Sequence, residues 1–230
     1  MDSRFRGNDS LITRIMHFLI TAGGTREYID PVRFISNASS GKMGYALATA
    51  AINAGHKVTL ITTIKNLELR IKNSKLKTVA VETAAQMFEA VKKHFSKCDC
   101  LIMTAAVSDY TPVKKSKTKI KKSKNGLVIK LKPTADILKW AGKHKKKGQA
   151  VVGFALEDRN LRKSAERKLK EKNLDMIIAN KPAAIGAEEN EVEIKTLKKS
   201  WLKTKKHSKK VVAEQIIRVV EDIYSPAPTG

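Results

Sequence analysis

Six residues of one connection, Arg33, Asn37, Ser39, Ser40, Gly41 and Lys42, are of types that hold phosphate and carboxylate groups. They lie in GGTREYIDPVRFISNASSGKMGYALATAA (23–51), between a strand-like and a helix-like apolar run. Ser39, Ser40 and Gly41 would offer hydroxyls and backbone N–H groups where a helix begins. Such an end attracts a phosphate or a developing oxyanion, with about 0.3–1 kcal/mol from the dipole alone. Lys42 adds a cation to the same turn. Asn37 can donate its amide to a carbonyl oxygen gaining charge, and Arg33 can clamp a carboxylate or phosphate through two bonds. Plainer roles stand beside these: Ser39 as a simple helix cap, and a loop stapled by its own side chains. The loop contains neither G-x-G-x-x-G nor G-x-x-x-x-G-K-[ST], which disfavours a conventional dinucleotide site or P-loop.

Four more stretches carry candidate chemistry. In AAVSDY (105–110), Ala105 lets something flat approach the backbone, and Asp109 can accept from a ribose hydroxyl or a base; a turn-capping Asp fits equally. In KTKIKK (117–122), a lysine-rich segment next to a phosphate site can close over a triphosphate and neutralise its leaving group, although a solvated charge run is the usual explanation. In VGFALED (152–158), Phe154 can stack on a base or fill core. In ERKLKEKNLD (166–175), Lys168 and Lys172 are four residues apart and share a helical face; both also read as ordinary surface lysines.

The elements that position these residues alternate. HFLITA (17–22), KVTLIT (57–62), CLIMTAA (100–106), QAVVGFAL (149–156) and LDMIIAN (174–180) read as buried strands. Helix patterns span 41–55, 83–95 with Thr83 as N-cap, 160–172 and 208–224. Short apolar runs alternating with helices predict an α/β fold, a parallel sheet with helices on both faces. Ligands of such sheets bind beyond the carboxyl ends of the strands. Segments 23–44, 105–122, 153–158 and 179–182 therefore converge on one crevice. Two regions break the alternation: 119–133, which reads as a hairpin around Lys124-Asn125-Gly126, and 190–204, a second antiparallel piece. A single domain is expected over 16–224, with an extension at 1–15 and a tail at 225–230.

The 230 residues carry a formal charge of +24. The excess is regional: 114–147 holds fourteen Lys against the single acid Asp136, and 195–210 holds eight Lys and no acid. This marks either a nucleic-acid footprint or a site for a polyanionic substrate; the second run, without interleaved aromatics apart from Trp201, looks like solvated surface. No run approaches the roughly 20 apolar residues of a membrane span, and the first residues lack a secretory cleavage pattern. Cys98 and Cys100 would share a strand face, a poor geometry for a disulfide, so both read as packing residues in a reducing cytoplasm.

Taken together, ITAGGTREYIDPVRFISNASSGKMGYALA, TAAVSDY, KIKK, GFALED and KNLDMIIAN occur in the order seen in phosphopantothenoylcysteine synthetases, and the resemblance runs from about His17 to Tyr224. It implies a Rossmann-like homodimer of coenzyme A biosynthesis, with the antiparallel pieces building the interface. The implied reaction activates 4′-phosphopantothenate with CTP, or with ATP, to an acyl-nucleotidylate, and L-cysteine then displaces the nucleotide. By matching positions, Asn37 would contact the acyl-phosphate, Lys119 would be the mobile-loop lysine, and Arg33 would orient phosphopantothenate. The nucleotide would lie around Ala105, Asp109, Lys119, Asp136, Ile137, Leu138, Phe154, Lys168 and Lys172. Mg²⁺ would bridge the phosphates with few protein ligands. A separate phosphopantothenoylcysteine decarboxylase would act next, and nucleic acid would bind only non-specifically. Two departures stand out: GFALED where the family reads GFAxET, and ANKP where it reads ANDV, so that Lys181 replaces an acid while Glu157 is kept. The alternatives are an NAD(P)- or flavin-dependent reductase, which lacks its glycine fingerprint here, and a basic nucleic-acid-binding module, which leaves the Asn37–Lys42 loop without a purpose.

Overall fold

The structure, a computed structural model, describes residues 14–64, 73–124, 126–184 and 186–224. Strand β1 (His17–Ala22) leads into a short hairpin, β2 (Arg26–Tyr28) and β3 (Phe34–Ser36), and then into helix α1 (Lys42–Asn53). β4 (Lys57–Thr62), β5 (Leu76–Ala80), α2 (Ala84–Phe95) and β6 (Cys100–Met103) follow. A second ribbon, β7 (Tyr110–Pro112) and β8 (Leu131–Pro133), precedes α3 (Ile137–His144), β9 (Ala150–Leu156), α4 (Leu161–Glu171) and β10 (Met176–Asn180). The chain ends in four short strands, β11 (Glu189–Asn190), β12 (Glu193–Thr196), β13 (Leu202–Lys203) and β14 (His207–Ser208), and in α5 (Lys209–Tyr224).

Eight strands form one sheet in the order β13-β12-β10-β9-β6-β1-β4-β5. β1 pairs in parallel with β4 on one side and with β6 on the other, and β6, β9 and β10 continue in parallel. Only β12 runs against the others, near one edge, pairing antiparallel with both β10 and β13. Alternation along β1 explains the two layers. Phe18, Ile20 and Ala22 face α1 and α5, whereas Leu19 faces α2, α3 and α4. Both faces are covered, so the central strands read as continuous apolar runs, and each fully buried Leu, Ile or Phe stabilises the fold by about 1.5–3 kcal/mol. α2 begins with a capping box: the Thr83 hydroxyl accepts from the Gln86 N–H, and the Gln86 side chain accepts from the Thr83 N–H.

The first antiparallel region differs from the sequence reading. β8 pairs with β7, not with an arm at 119–124; Asn125 of the expected turn lies outside the described residues, as do residues 1–13 and the tail 225–230. Like charges across a lysine-rich ladder repel, and Val128 at 90% exposure shows that this arm lacks a packed face. Residues 113–130 instead form a long connection, closed at its base by the Val113 N–H on the Lys130 carbonyl at 2.9 Å. In the 190–204 region the expected antiparallel piece is β12 with β13, and β12 also joins the main sheet beside β10. The cysteines do not share a face. Cys98 precedes the strand, in the turn after α2, so Cys98 packs on the α2 side and Cys100 on the α1 side. Both thiols are free and buried.

Candidate active site

The sheet order reverses at β1: the chain passes from β1 to β4 and β5 on one side, then crosses to β6, β9 and β10 on the other. A crevice of about 610 Å³ opens at this reversal, beyond the carboxyl ends of β1, β6 and β9. Its floor is made by zipping the turns after β1 and β6 together. The Thr21 hydroxyl accepts from the Ala105 N–H at 3.2 Å, and the Gly23 carbonyl accepts from the Ala106 N–H at 2.9 Å. Small side chains at Ala105 and Ala106 keep this floor low.

The Asn37–Gly44 segment is one wall. Gly41 is the N-cap of α1 with φ 70°, and the helix start receives no side-chain cap. Ser39 does not cap the helix; its hydroxyl accepts from the Gly41 N–H at 3.4 Å. Glycine is required at 41 by its left-handed backbone. It is required at 44 by proximity, since a Cβ there would lie 2.6 Å from both Ala22 Cβ and Thr104 Oγ1. The first turn of α1 therefore lies directly on the strand ends, with Ser39, Ser40, Gly41 and Lys42 lining the crevice. Asn37 lines it too. Its amide donates to the carbonyls of Ala106 at 3.4 Å and Val107 at 3.2 Å, which ties this wall to the floor.

The opposite wall comes from α3, α4 and β9. Asp136 caps α3 by accepting from the Lys139 N–H at 2.9 Å, and its other oxygen takes Lys172 Nζ at 2.8 Å. Partial burial alone would raise the Asp136 carboxyl, but these partners lower it below its ordinary value. Lys168 Nζ lies 2.6 Å from Glu157. Ile137, Leu138 and Phe154 supply apolar surface between the two lysines and the floor. Asp109 also lines the crevice, with its own carbonyl accepting from the Thr134 N–H at 2.9 Å. Glu157 thus serves to hold Lys168, while Lys181 is exposed and outside this lining.

Arg33 and Lys119 do not line the crevice. Arg33 donates from Nε at 2.8 Å, and from a terminal nitrogen, to the fully buried carboxylate of Asp30, and from the same nitrogen to the Ile120 carbonyl at 2.5 Å. Asp30 also accepts from the N–H groups of Val32, Arg33 and Ile120. Burial by itself would raise Asp30, yet the Arg33 side chain and these N–H groups outweigh it and hold the carboxyl well below the usual range. Lys119 is the exposed neighbour of this anchored Ile120.

Among the lining residues that the sequence reading did not name are Gly186, Asn190 and Lys209. Lys209 is concealed in the sequence by the run of lysines around it, and only burial distinguishes it. Neither cysteine lines the crevice; burial pushes the Cys98 thiol up to about 12 and Cys100 well above its ordinary value. Asp109 and Asp136 are the carboxylates of the lining, and no group of three His, Cys, Asp or Glu side chains gathers among the described residues. This donor set suits a divalent cation carried on phosphate oxygens. No helix among the described residues is long and apolar enough to cross a membrane.

Residues 14–224 match the family described as DNA/pantothenate metabolism flavoprotein C-terminal domain. The chain is 47% identical over 171 residues, 74% of its length, to the coenzyme A biosynthesis bifunctional protein CoaBC of Bacillus subtilis strain 168, of which it covers 41%. It is 45% identical over 205 residues, 87% of its length, to a cysteine/cysteine sulfinic acid decarboxylase from an unknown prokaryotic organism, of which it covers 56%. It thus spans about half the length of these curated relatives. A crystal structure of the C-terminal domain of a CoaBC protein superimposes with a TM-score of 0.75 at 40% identity, covering 90% of this chain and 95% of that one. By family match, identity and fold alike, the chain belongs to the DNA/pantothenate metabolism flavoprotein C-terminal domain family, as the resemblance carried by its opening loop implied.

Proposed function

We propose that this chain is a phosphopantothenate–cysteine ligase of coenzyme A biosynthesis, using CTP in preference to ATP. One observation carries the reading: an uncapped helix start and a pair of held lysines face each other across one crevice at the reversal of the sheet. A carboxylate is a poor acylating agent, and a mixed anhydride with phosphate is a good one. The 4′-phosphopantothenate carboxylate attacks the α-phosphate, forming a P–O bond as pyrophosphate leaves. The amine of L-cysteine then attacks the acyl carbon, expels the nucleoside monophosphate and loses its proton to give the amide.

The chain's own groups divide this work. The start of α1 with Ser39 and Ser40 holds the acyl-phosphate, and Asn37 turns its amide from the Ala106 and Val107 carbonyls towards the charged acyl oxygen. Lys168 and Lys172 meet the nucleotide beside Phe154 and Ala105, and Asp109 and the 136–138 turn hold its ribose and base. Lys119 reaches in from its connection to assist both half-reactions. To orient phosphopantothenate, Arg33 must leave Asp30. Mg²⁺ adds charge neutralisation on the phosphates. Partnership with a second copy of the chain is supported by exposed apolar side chains gathered on the two small ribbons, Val32, Phe34, Ile35, Tyr110 and Leu131.

The test combines purified protein, 4′-phosphopantothenate, Mg²⁺ and either CTP or ATP, with and without L-cysteine, and identifies products by mass. Cysteine-dependent CMP and the new amide are expected, with CTP the better substrate. A folded protein that releases no pyrophosphate from either nucleotide overturns the reading.

A further inference from the structure

Lys209 is the first residue of α5, is 9% exposed, and lines the crevice on the α1 side of the sheet, across from Lys168 and Lys172. Its ammonium donates to the Ala187 carbonyl, and its N–H donates to the Glu188 carbonyl at 3.2 Å. Lys42 lies nearby at the start of α1, bonded to the Glu188 carboxylate, which is 83% exposed. Burial above all, and repulsion from Lys42, push the Lys209 ammonium below its ordinary value against a weaker opposing pull from Glu188. Glu188, bonded to Lys42, offsets only part of the burial of Lys209 and of the repulsion between the two ammonium groups. The same arrangement favours an anion, because a phosphate dianion beside Lys209 and Lys42 compensates both ammonium groups and accepts hydrogen bonds from them.

We propose that Lys209 and Lys42 form a second phosphate-binding pair in the crevice, distinct from Lys168 and Lys172, which receives a phosphate monoester or a phosphoanhydride group of a substrate. The pair explains why the crevice is cationic at both ends: a ligand set with phosphate at two separated places needs both. The inference rests on the ligase reading only for the names of the ligands, which are the monoester of phosphopantothenate and the polyphosphate of the nucleotide. On binding, Glu188, already exposed, gives up Lys42 to the phosphate.

Calorimetric titration of the full chain with 4′-phosphopantothenate, with CTP and with inorganic pyrophosphate tests this in wild type, Lys209→Met, Lys209→Arg and the exposed neighbour Lys210→Met. Lys209→Met should weaken one class of ligand about 10–100-fold, the size of one charge-assisted bond. Lys209→Arg should restore most of that loss, and Lys210→Met should bind as wild type does. Loss confined to phosphopantothenate assigns the pair to the monoester; loss shared by CTP and pyrophosphate assigns it to the polyphosphate. Wild-type affinities in a folded Lys209→Met protein overturn the proposal. So does equal weakening of all three ligands with a lowered melting temperature, which marks a structural lysine, or a wild type that binds none of them. Should Lys209→Met not fold, Lys42→Met must show the same selective loss, and unchanged binding there overturns the proposal. A wild type that binds but forms no amide removes the ligase reading and leaves this one standing.

Discussion

Lysines of the crevice and lysines of the basic surface runs both form ion pairs, and they differ in what surrounds the pair. Lys168 on Glu157 and Lys172 on Asp136 are 33% and 24% exposed. Lys199 on Asp222, Lys203 on Glu191 and Lys206 on Glu189 are 54–71% exposed and their pairs are longer, at 3.1–3.2 Å against 2.6 and 2.8 Å. A pair in open solvent contributes about 0–1 kcal/mol and is screened by salt. A pair at the edge of a crevice is already partly dehydrated and fixed in direction, and under the proposed function it would meet an incoming phosphate with little reorganisation. Burial and direction, more than separation, set the two groups of lysines apart. Lys145 shows the third use: 15% exposed, it holds Asp175, which also accepts from the Val151 N–H at the start of β9.

The contrast can be broken at several points. The largest effect is expected from Asn37→Asp, which puts a negative charge where an amide should meet a developing one; conversion of the acyl-nucleotidylate should fall about 10²–10³-fold while the intermediate accumulates. Rapid quenching and mass detection of that intermediate decide it, and normal turnover would return Asn37 to holding the loop. Next, Lys168→Met should raise the KM for nucleotide about 10–100-fold, while exposed Lys205→Met changes it less than about two-fold. Equal effects would erase the distinction between held and solvated cations. Lys119→Gln probes the boundary, because this lysine is exposed yet attached to an anchored segment; its kcat should fall clearly further than that of Lys205→Gln.

Asp30→Asn sharpens the picture through stability rather than rate. The folded carboxyl is held below its unfolded value, so its contribution is fully present above about pH 4 and is lost as pH falls towards the folded value. The melting temperature of Asp30→Asn should thus lie furthest below wild type at neutral pH, and the gap should narrow below pH 4; a gap independent of pH would show that the charge is not the cause. The smallest effect is expected from Gly41→Ala, about 1–2 kcal/mol for a left-handed residue, read as a lowered denaturant midpoint together with weaker phosphate binding.

Much of this was legible in the sequence. HFLITA and KVTLIT coincide with β1 and β4, and the capping Thr83 and the helix pattern at 208–224 have their counterparts in α2 and α5, because continuous burial on both faces leaves an unbroken apolar run. β5 was missed since it is a half-exposed edge strand, and α3 because its eight residues are too few for a clear periodic signal and sit in a lysine-rich stretch. The β2–β3 hairpin was hidden in a connection chosen for its chemistry, with Asp30 and Pro31 at its turn instead of an Asn-Gly signal. At the site, residues attached directly to strand ends were readable from spacing. Arg33 and Lys119 could not be placed that way, because a side chain's partner across a loop is fixed by tertiary packing and leaves no periodic trace. Lys209 was masked by composition, since burial is invisible in a run of identical letters.

The Asp30 carboxylate also changes the mechanics of the 113–130 connection. By accepting the Ile120 N–H, and with Arg33 on the Ile120 carbonyl, it pins an otherwise long tether near its middle. Two short spans replace one long one, so the backbone next to Lys119 wanders through a smaller volume while the flexible stem of the lysine keeps its reach. Under the role proposed for Lys119, part of the ordering of this span is done during folding by the bond from the Ile120 N–H to Asp30, which does not depend on Arg33.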